Sequence, residues 1–387
     1  MKRNTQMKFA ERITRIPPYL FAGLEEKASL LRNRGVDLVD LGIADPDLKP
    51  PSFLKEAVIK HLADDDAHKY PTSKGDPAVR EAIARWFQGR FGVSLDPASE
   101  IAVVIGGKEG LANLSRAIIN PGEIVAAPDP GYPVYANGAA ILNDGIARYL
   151  PLTPERGFLP DLKQAEGSRL LFLNYPNNPT GVVAPESFYR EAAEFAENHP
   201  ETLVVWDAAY CELNFAGERP PSILQFSRKT VEIHSLSKMM NVTGFRIGFA
   251  VGDPEVISAL VKVKTQLDSG APVFIQRAMA EALGRYDGAN PPEEAVRSHQ
   301  EYGRRKRVLE LGLQNVSAVK QIYESTATFF TWMKVDDDVD FVEKAMEAGV
   351  ILTPGRGFGA SGKGFVRAAV TAPLERIELA VDRLAKM

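Results

Sequence analysis

Between Ile101 and Val251 the chain repeats one pattern, a short apolar run followed by a turn and a stretch of helical spacing. The runs are 101–105, 124–127, 170–174, 202–206, 230–234 and 247–251, and helical periodicity marks 111–118 and 188–195 between them. Runs this short and this continuously apolar suit strands hidden on both faces, and the intervening helices supply the covers. The pattern therefore predicts an α/β fold whose mostly parallel sheet is sandwiched between helices.

The flanks read differently. Prolines at 17, 18, 46, 50 and 51 punctuate the first 50 residues, which predicts an arm with no long regular element before Ser52. Ser52 is placed to cap a helix carrying Leu54, Ala57, Val58 and Leu62, and a second helix runs from Asp76 to Phe87 with Pro77 in its first turn. Beyond the break at Asn290-Pro291-Pro292, helical spacing over 293–311 and 339–348 alternates with strand-like 329–335 and 365–370. The expected division is an arm with part of a small domain (1–50), a large domain (51–288) and a carboxy-terminal small α+β domain (289–387).

Composition narrows the function. A formal net charge of −4 gives no support to a sequence-independent nucleic-acid binder. Cys211 is the sole cysteine, so no intrachain disulfide or cysteine-rich zinc site can form, and five scattered histidines offer no ready metal cluster. No apolar run approaches the ~20 residues that span a membrane, and the amino terminus has no signal-like apolar core. The expected setting is the cytoplasm, away from nucleic acid and membrane.

Ligands of open α/β sheets gather at the carboxyl ends of strands. Five strand-end segments carry chemistry here: Gly106 to Glu109, Tyr132, Asn178, Asp207 to Tyr210, and Ser235 to Arg246. The Gly106-Gly107-Lys108 turn opens a helix whose free amides suit an anion; Glu109 excludes the nucleotide loop that ends in Gly-Lys-Ser/Thr. Ser235, Ser237 and Arg246 make a phosphate cradle around Lys238, an amine able to act as a Schiff-base nucleophile once deprotonated. Asp207 ends a Val-Val-Trp strand, where a carboxylate can pair with a protonated ring nitrogen. Singly, each has a plain reading: Tyr132 and Asn178 as turn residues, Arg367 as an edge charge, Cys211 as packing, His68 and His234 as structural or solvent-facing.

In order, these segments resemble the class I/II pyridoxal-phosphate-dependent aminotransferases of fold-type I. The resemblance runs through 70–75 (Tyr-Pro-Thr-Ser-Lys-Gly), 128–133 (Pro-Asp-Pro-Gly-Tyr-Pro), 174–181 (Asn-Tyr-Pro-Asn-Asn-Pro-Thr-Gly), Asp207-Ala-Ala-Tyr210 and 235–246. Segments 106–110 and 220–225 are most similar to LL-diaminopimelate aminotransferases. The resemblance implies that Lys238 carries pyridoxal phosphate and moves the substrate's α-proton. It further implies that Asp207 holds the ring nitrogen protonated, Tyr132 stacks on the ring, and Asn178 and Tyr210 bond its phenolic oxygen. Gly107, Lys108, Ser235, Ser237 and Arg246 would hold the phosphate, with Tyr70 reaching it from the neighbouring subunit of a homodimer that shares its sites. Arg367 would clamp the substrate α-carboxylate near Gly42, with Lys108, Tyr132 and Asn178 also facing substrate.

The implied reaction is ping-pong transamination between an amino acid and a 2-oxo acid, led by LL-diaminopimelate and 2-oxoglutarate, as in lysine biosynthesis. Aspartate, alanine or broad-specificity transamination is the alternative, and a catalytically silent binding scaffold the different-class one. Lys238-Met239-Met240, Gly244-Phe245-Arg246 and Arg356 depart from the commoner pattern; an Arg356 turned into the cleft would favour an acidic substrate side chain, and an exposed loop arginine is the equal alternative.

Overall fold

A computed structural model describes residues 7–17, 20–215 and 219–387. Pro18 and the first six residues, part of the arm discussed above, lie outside the described residues. The chain begins with α1 (Glu11–Arg15), α2 (Leu20–Asn33), β1 (Val39–Asp40), α3 (Ser52–Leu62) and α4 (Pro77–Phe91). The alternating region follows: β2 (Ile101–Val104), α5 (Gly107–Ile118), β3 (Ile124–Asp129), β4 (Ile146–Pro151), β5 (Leu170–Asn174), α6 (Glu186–Asn198), β6 (Leu203–Asp207), β7 (Thr230–Ser235), α7 (Leu236–Met239), β8 (Gly248–Gly252), α8 (Pro254–Lys264) and α9 (Val273–Leu283). It ends in α10 (Glu293–Leu313), β9 (Gln321–Tyr323), β10 (Phe330–Lys334), α11 (Asp338–Glu347), β11 (Val350–Ile351), β12 (Thr353–Pro354), β13 (Phe365–Ala369) and α12 (Leu374–Leu384).

Seven strands form the large sheet in the order β2-β8-β7-β6-β5-β3-β4. All neighbouring pairs are parallel except those of β8, which runs antiparallel to both β2 and β7. Alternate side chains leave the sheet on opposite faces. Ile101, Val103, Leu171, Leu173, Val204 and Trp206 enter one core with α4, α6 and α9. Ala102, Val104, Leu170, Phe172 and Val205 enter the other with α5 and α8. The antiparallel course of β8 has a functional result. The 236–247 connection leaves and re-enters the same edge of the sheet, so Lys238 and Arg246 stay together at the carboxyl end of β7.

The small domain is an antiparallel sheet, β12-β13-β10-β9, packed with α10, α11 and α12. The arm joins it through β1, parallel to β11 with Val39 opposite Val350. Tyr210 and Leu213, from beyond the end of β6, are buried in this same second core, so the two domains share side chains beside the cleft.

Two expectations are corrected, and one strand was not anticipated. A 14-residue helix, α2, precedes Ser52, because the prolines flank its segment without entering it, and Ala28 packs against Met346 and Ile351. Ser52 is not the cap of α3 but its first residue, with its amide and hydroxyl donating to Glu294 at 2.7 and 3.0 Å. The edge strand β4 carried no apolar run because most of its residues remain partly exposed.

One ion pair is nearly dry. Arg90 Nε donates to Glu212 Oε1 at 2.8 Å, with the two side chains 5% and 0% exposed, and the Tyr286 hydroxyl donates to Glu212 at 3.1 Å. Removing one partner of such a pair strands a buried charge. Arg90→Met is therefore expected to cost about 3–5 kcal/mol in urea unfolding; an unchanged midpoint would show that Glu212 finds another partner or water.

Candidate active site

A cleft of about 420 Å³ opens at the carboxyl edge of the large sheet, where the two domains meet. That volume falls in the usual range for small-molecule sites. One end is built to take an anion. Gly106, at φ 78°, turns the chain into α5 so that the first amides of that helix face the cleft at Gly107 and Lys108. A Cβ at 106 would stand 2.8 Å from the Arg246 guanidinium, so glycine lets the loop and the arginine close on the same space. Ser235 caps α7 by accepting from the Ser237 amide at 3.3 Å, and Arg246 is braced on the Thr243 carbonyl at 2.7 Å. Glu109 holds the turn from behind. It accepts from the Ile105 amide and from Lys264, a lysine with no exposed surface that also bonds Asp268 at 3.1 Å.

Lys238 and Asp207 occupy the middle. Burial, opposed by the Asp45 carboxylate and aided by Arg367 and Arg246, lowers the Lys238 amine to about 8. Its Nζ donates to the Ala44 carbonyl at 2.9 Å and lies 5.5 Å from the centre of the Phe329 ring. Asp207 is 5% exposed. Burial raises its carboxyl, against hydrogen bonds from the Tyr135 hydroxyl at 2.7 Å and the Ala209 amide at 3.1 Å. Both donors are neutral, which leaves a buried carboxylate suited to a cationic partner.

Arg367 forms the far end. It projects from β13, 2% exposed, between the rings of Phe330 and Phe358 at 4.5 and 4.7 Å. Its terminal nitrogens donate to Asn178 Oδ1 at 2.9 Å and the Gly42 carbonyl at 2.7 Å. Asn178 is itself fixed by Asn174, whose side chain accepts from the Asn178 amide at 2.9 Å and donates to the Asp207 carbonyl at 2.9 Å. Tyr210 lies edge-on to Phe330 at 5.4 Å, and burial raises its hydroxyl well above the ordinary value. Tyr132 forms a side wall, with the Lys108 amine 6.0 Å from its ring centre.

The structure thus brings Gly107, Lys108, Tyr132, Asn178, Asp207, Tyr210, Ser235, Ser237, Lys238, Arg246 and Arg367 into one cleft, with Gly42 directly behind Arg367. Tyr70 is apart from them, 92% exposed on this chain's own surface. Sequence reasoning gave no role to Tyr135, Asn174, Asp45, Thr243 or Phe358. Tyr135 follows Tyr132 by three residues, a helical spacing that could have flagged it; the others are positioned only by the tertiary fold. Arg356 turns away from the cleft onto Asp338, at 2.7 Å, and Asp337, at 3.0 Å. Met239 and Met240 are core residues, with Phe245 packed against them. Cys211 is buried with its Sγ 3.6 Å from His234 Nδ1, and burial raises the thiol far above its ordinary value, which makes it a poor nucleophile. Among the described residues no cluster of His, Cys, Asp or Glu could hold a metal ion, and no helix is long and apolar enough to cross a membrane.

The lowered Lys238 amine has a thermodynamic sign. Its folded value of about 8 lies below the ordinary 10.5, so the folded state disfavours the bound proton. The resulting penalty is full at neutral pH and is relieved as pH rises from 8 through 10.5. In protein without bound ligand, Lys238→Met is expected to gain up to about 3 kcal/mol on the native protein at neutral pH, the gap closing as the solution becomes more alkaline. Urea unfolding of both proteins across that range measures it; a gap that does not change with pH contradicts the lowered amine.

Comparison with known proteins agrees with this geometry. Residues 36–384 match the family model "Aminotransferase class I and II". An LL-diaminopimelate aminotransferase from Desulforudis audaxviator is 42% identical over 387 residues, spanning 97% of this chain and 96% of that protein. A Thermus thermophilus structure described as a probable N-succinyldiaminopimelate aminotransferase superposes with a TM-score of 0.87 at 34% identity, covering 95% of this chain and 99% of that one. The aspartate aminotransferase from Thermus thermophilus with maleate superposes with a TM-score of 0.90 at 30% identity, covering 98% of this chain and 100% of that one. With a family model spanning nearly the whole chain and a fold shared to this degree, the protein belongs to the class I and II aminotransferases.

Proposed function

We propose that the protein transfers the amino group of LL-diaminopimelate to 2-oxoglutarate, using pyridoxal phosphate seated in the cleft. One observation carries the cofactor reading. A helix-end and arginine cradle, a buried carboxylate with only neutral donors and a lysine at about 8 line a single pocket that Arg367 closes. Each matches one part of that cofactor: its phosphate, its ring nitrogen and its aldehyde carbon. When bound, the group supplies an electron sink for the charge left at the substrate Cα.

The chain's own residues do the rest. Gly107, Lys108, Ser235, Ser237 and Arg246 hold the phosphate end. Asp207, held by Tyr135 and Ala209, keeps a proton on the ring nitrogen. Asn178 and Tyr210 approach the phenolic side, and Tyr132 covers a ring face. Arg367 presents its planar fork to the α-carboxylate beside Gly42 and so fixes the Cα–H bond relative to Lys238. Lys238 Nζ, largely neutral above pH 8, accepts the α-proton from the substrate Cα and would return it to the cofactor's former aldehyde carbon, across the amino nitrogen. A 2-oxo acid then occupies the same contacts in reverse. Tyr70, on the surface, reaches the phosphate of a partner subunit, which makes the working unit a homodimer with shared sites; the cytoplasm is its proposed location.

The substrate reading rests on two supports. The Desulforudis audaxviator protein of that name is 42% identical across the chain. The cleft also carries Lys108 in addition to Arg367, a second cation for a distal carboxylate. A donor and acceptor panel with excess cofactor tests it, using LL-diaminopimelate, aspartate, alanine, glutamate and methionine. LL-diaminopimelate with 2-oxoglutarate is expected to give the highest kcat/KM; rapid turnover of aspartate or alanine with none of diaminopimelate would move the protein to the alternative. Lys238→Ala is expected to lose at least about 10²–10⁴-fold in turnover, and to lose the visible absorbance band given by added pyridoxal phosphate. If the wild type acquires no such band, the catalytic reading itself is lost. Arg367→Ala should raise KM for donor and acceptor while leaving cofactor absorbance in place.

A further inference from the structure

The loop from Gly355 to Gly362, between β12 and β13, carries Phe358, whose ring lies 4.7 Å from the Arg367 guanidinium carbon. Two carboxylates hold this loop from opposite sides. On the outside, the fully buried Asp338 accepts from the Arg356 amide and guanidinium and from the Gly364 amide. On the inside stands Asp129, the last residue of β3 and 4% exposed. Its oxygens accept from the Ser361 amide at 3.2 Å and from the Ser361 hydroxyl at 3.1 Å. Two residues further on, the Gly131 amide donates to the Phe358 carbonyl at 2.9 Å. Gly359 lies so close, at φ 137°, that a Cβ there would stand 1.9 Å from Asp129 Oδ1. Asp129 does not line the cleft, so its charge serves no contact there. A buried carboxylate is costly unless its oxygens are satisfied, and here the small domain supplies donors to a residue of the large one.

We propose that Asp129 is a positioning residue: it fastens the Phe358 loop to the end of β3, and Phe358 in turn keeps Arg367 flat and aimed for a carboxylate. The inference rests on the reading of Arg367 as the carboxylate clamp. Donor and 2-oxo acid both dock through that carboxylate, and the clamp acts on bound substrate throughout the reaction. Loosening the loop therefore removes binding common to ground state and transition state, which raises KM for both substrates and leaves kcat nearly unchanged. A residue that merely stabilised the fold would move neither constant in the soluble, folded variant.

The test uses the holoenzyme and five single variants, Asp129→Ala, Asp129→Asn, Ser361→Ala, Gly359→Ala and Arg367→Ala, together with the Asp129→Ala/Gly359→Ala double variant. Asp129→Ala is expected to raise both KM values about tenfold, keep kcat within about twofold, and weaken binding of maleate, an unreactive dicarboxylate, about tenfold. Cofactor absorbance should be unchanged. Asparagine can still accept from the Ser361 amide and donate to its hydroxyl, so Asp129→Asn should stay within about twofold of the parent. Ser361→Ala, which keeps the backbone contact, should raise both KM values about threefold, and it carries the test if Asp129→Ala does not fold. Gly359→Ala should mimic Asp129→Ala and combine with it less than additively, because the two changes release the same contact. If Arg367→Ala raises KM while Ser361→Ala and Gly359→Ala leave KM and maleate binding unchanged, the positioning role is overturned and the clamp stands. If Arg367→Ala itself changes neither KM nor maleate binding, the clamp reading fails first. A fall in kcat at constant KM would also overturn the proposal.

Discussion

Ser235 lies opposite Gly248 where β7 pairs with β8, and no side chain fits at 248, because a Cβ there would stand 2.3 Å from the His234 carbonyl. That close antiparallel contact pins both ends of the 236–247 connection to one edge of the sheet. Lys238 and Arg246 are then held at a fixed offset from Asp207, which ends the adjacent strand β6 with its own backbone in register with Ile233. Positions on paired strands are more precise than positions on free loops, and the cleft's chemistry hangs from them. A connection crossing to a parallel neighbour would have carried Arg246 to the opposite edge.

Around that frame the charges are arranged by sign. Burial is the main reason the Lys238 amine yields its proton, and Arg367 and Arg246 add to it. Asp45 opposes this more strongly than either arginine supports it, but burial prevails. Asp207 experiences the converse: its neutral donors stabilise the carboxylate without cancelling its charge. A site with one reluctant cation and one under-compensated anion is poised for a ligand that brings a cationic ring nitrogen and an electrophilic carbon. The aromatic walls add shape without adding charge, and Arg367 gains from them directly through its two ring faces.

Much of this was legible in the residues because local chemistry dictated it. Apolar runs dry on both faces located every strand of the large sheet except β4, whose side chains do not need hiding. Strand-end glycines, hydroxyls and charges located the cleft, since open sheets bind ligands at that edge. Other features depend on distant partners. Asp76 and Gly92 bracket α4 by local capping, yet Ser52 gave up a cap for Glu294, which lies in α10. Tyr135 becomes important only when β6 brings Asp207 to its hydroxyl. Arg356 could have faced either way until α11 placed Asp338 beneath it. Spacing along the chain reports faces and turns; it is silent on which of two nearby carboxylates an arginine will meet.

The pairing of β1 with β11 has a consequence for how the protein is made. Val39 finds its partner at Val350, near the opposite end of the chain, whereas the strands of the large sheet lie between them in sequence. During synthesis the sheet that carries Lys238 and Asp207 can assemble while the arm still waits for its mate. The Gly42 carbonyl and Arg367, which meet only when the last strands arrive, are joined last. A nascent chain stalled short of β13 would therefore display a finished anion cradle and an unfinished wall. Such a chain lacks the Arg367 contact to the Gly42 carbonyl and with it one wall of the cleft.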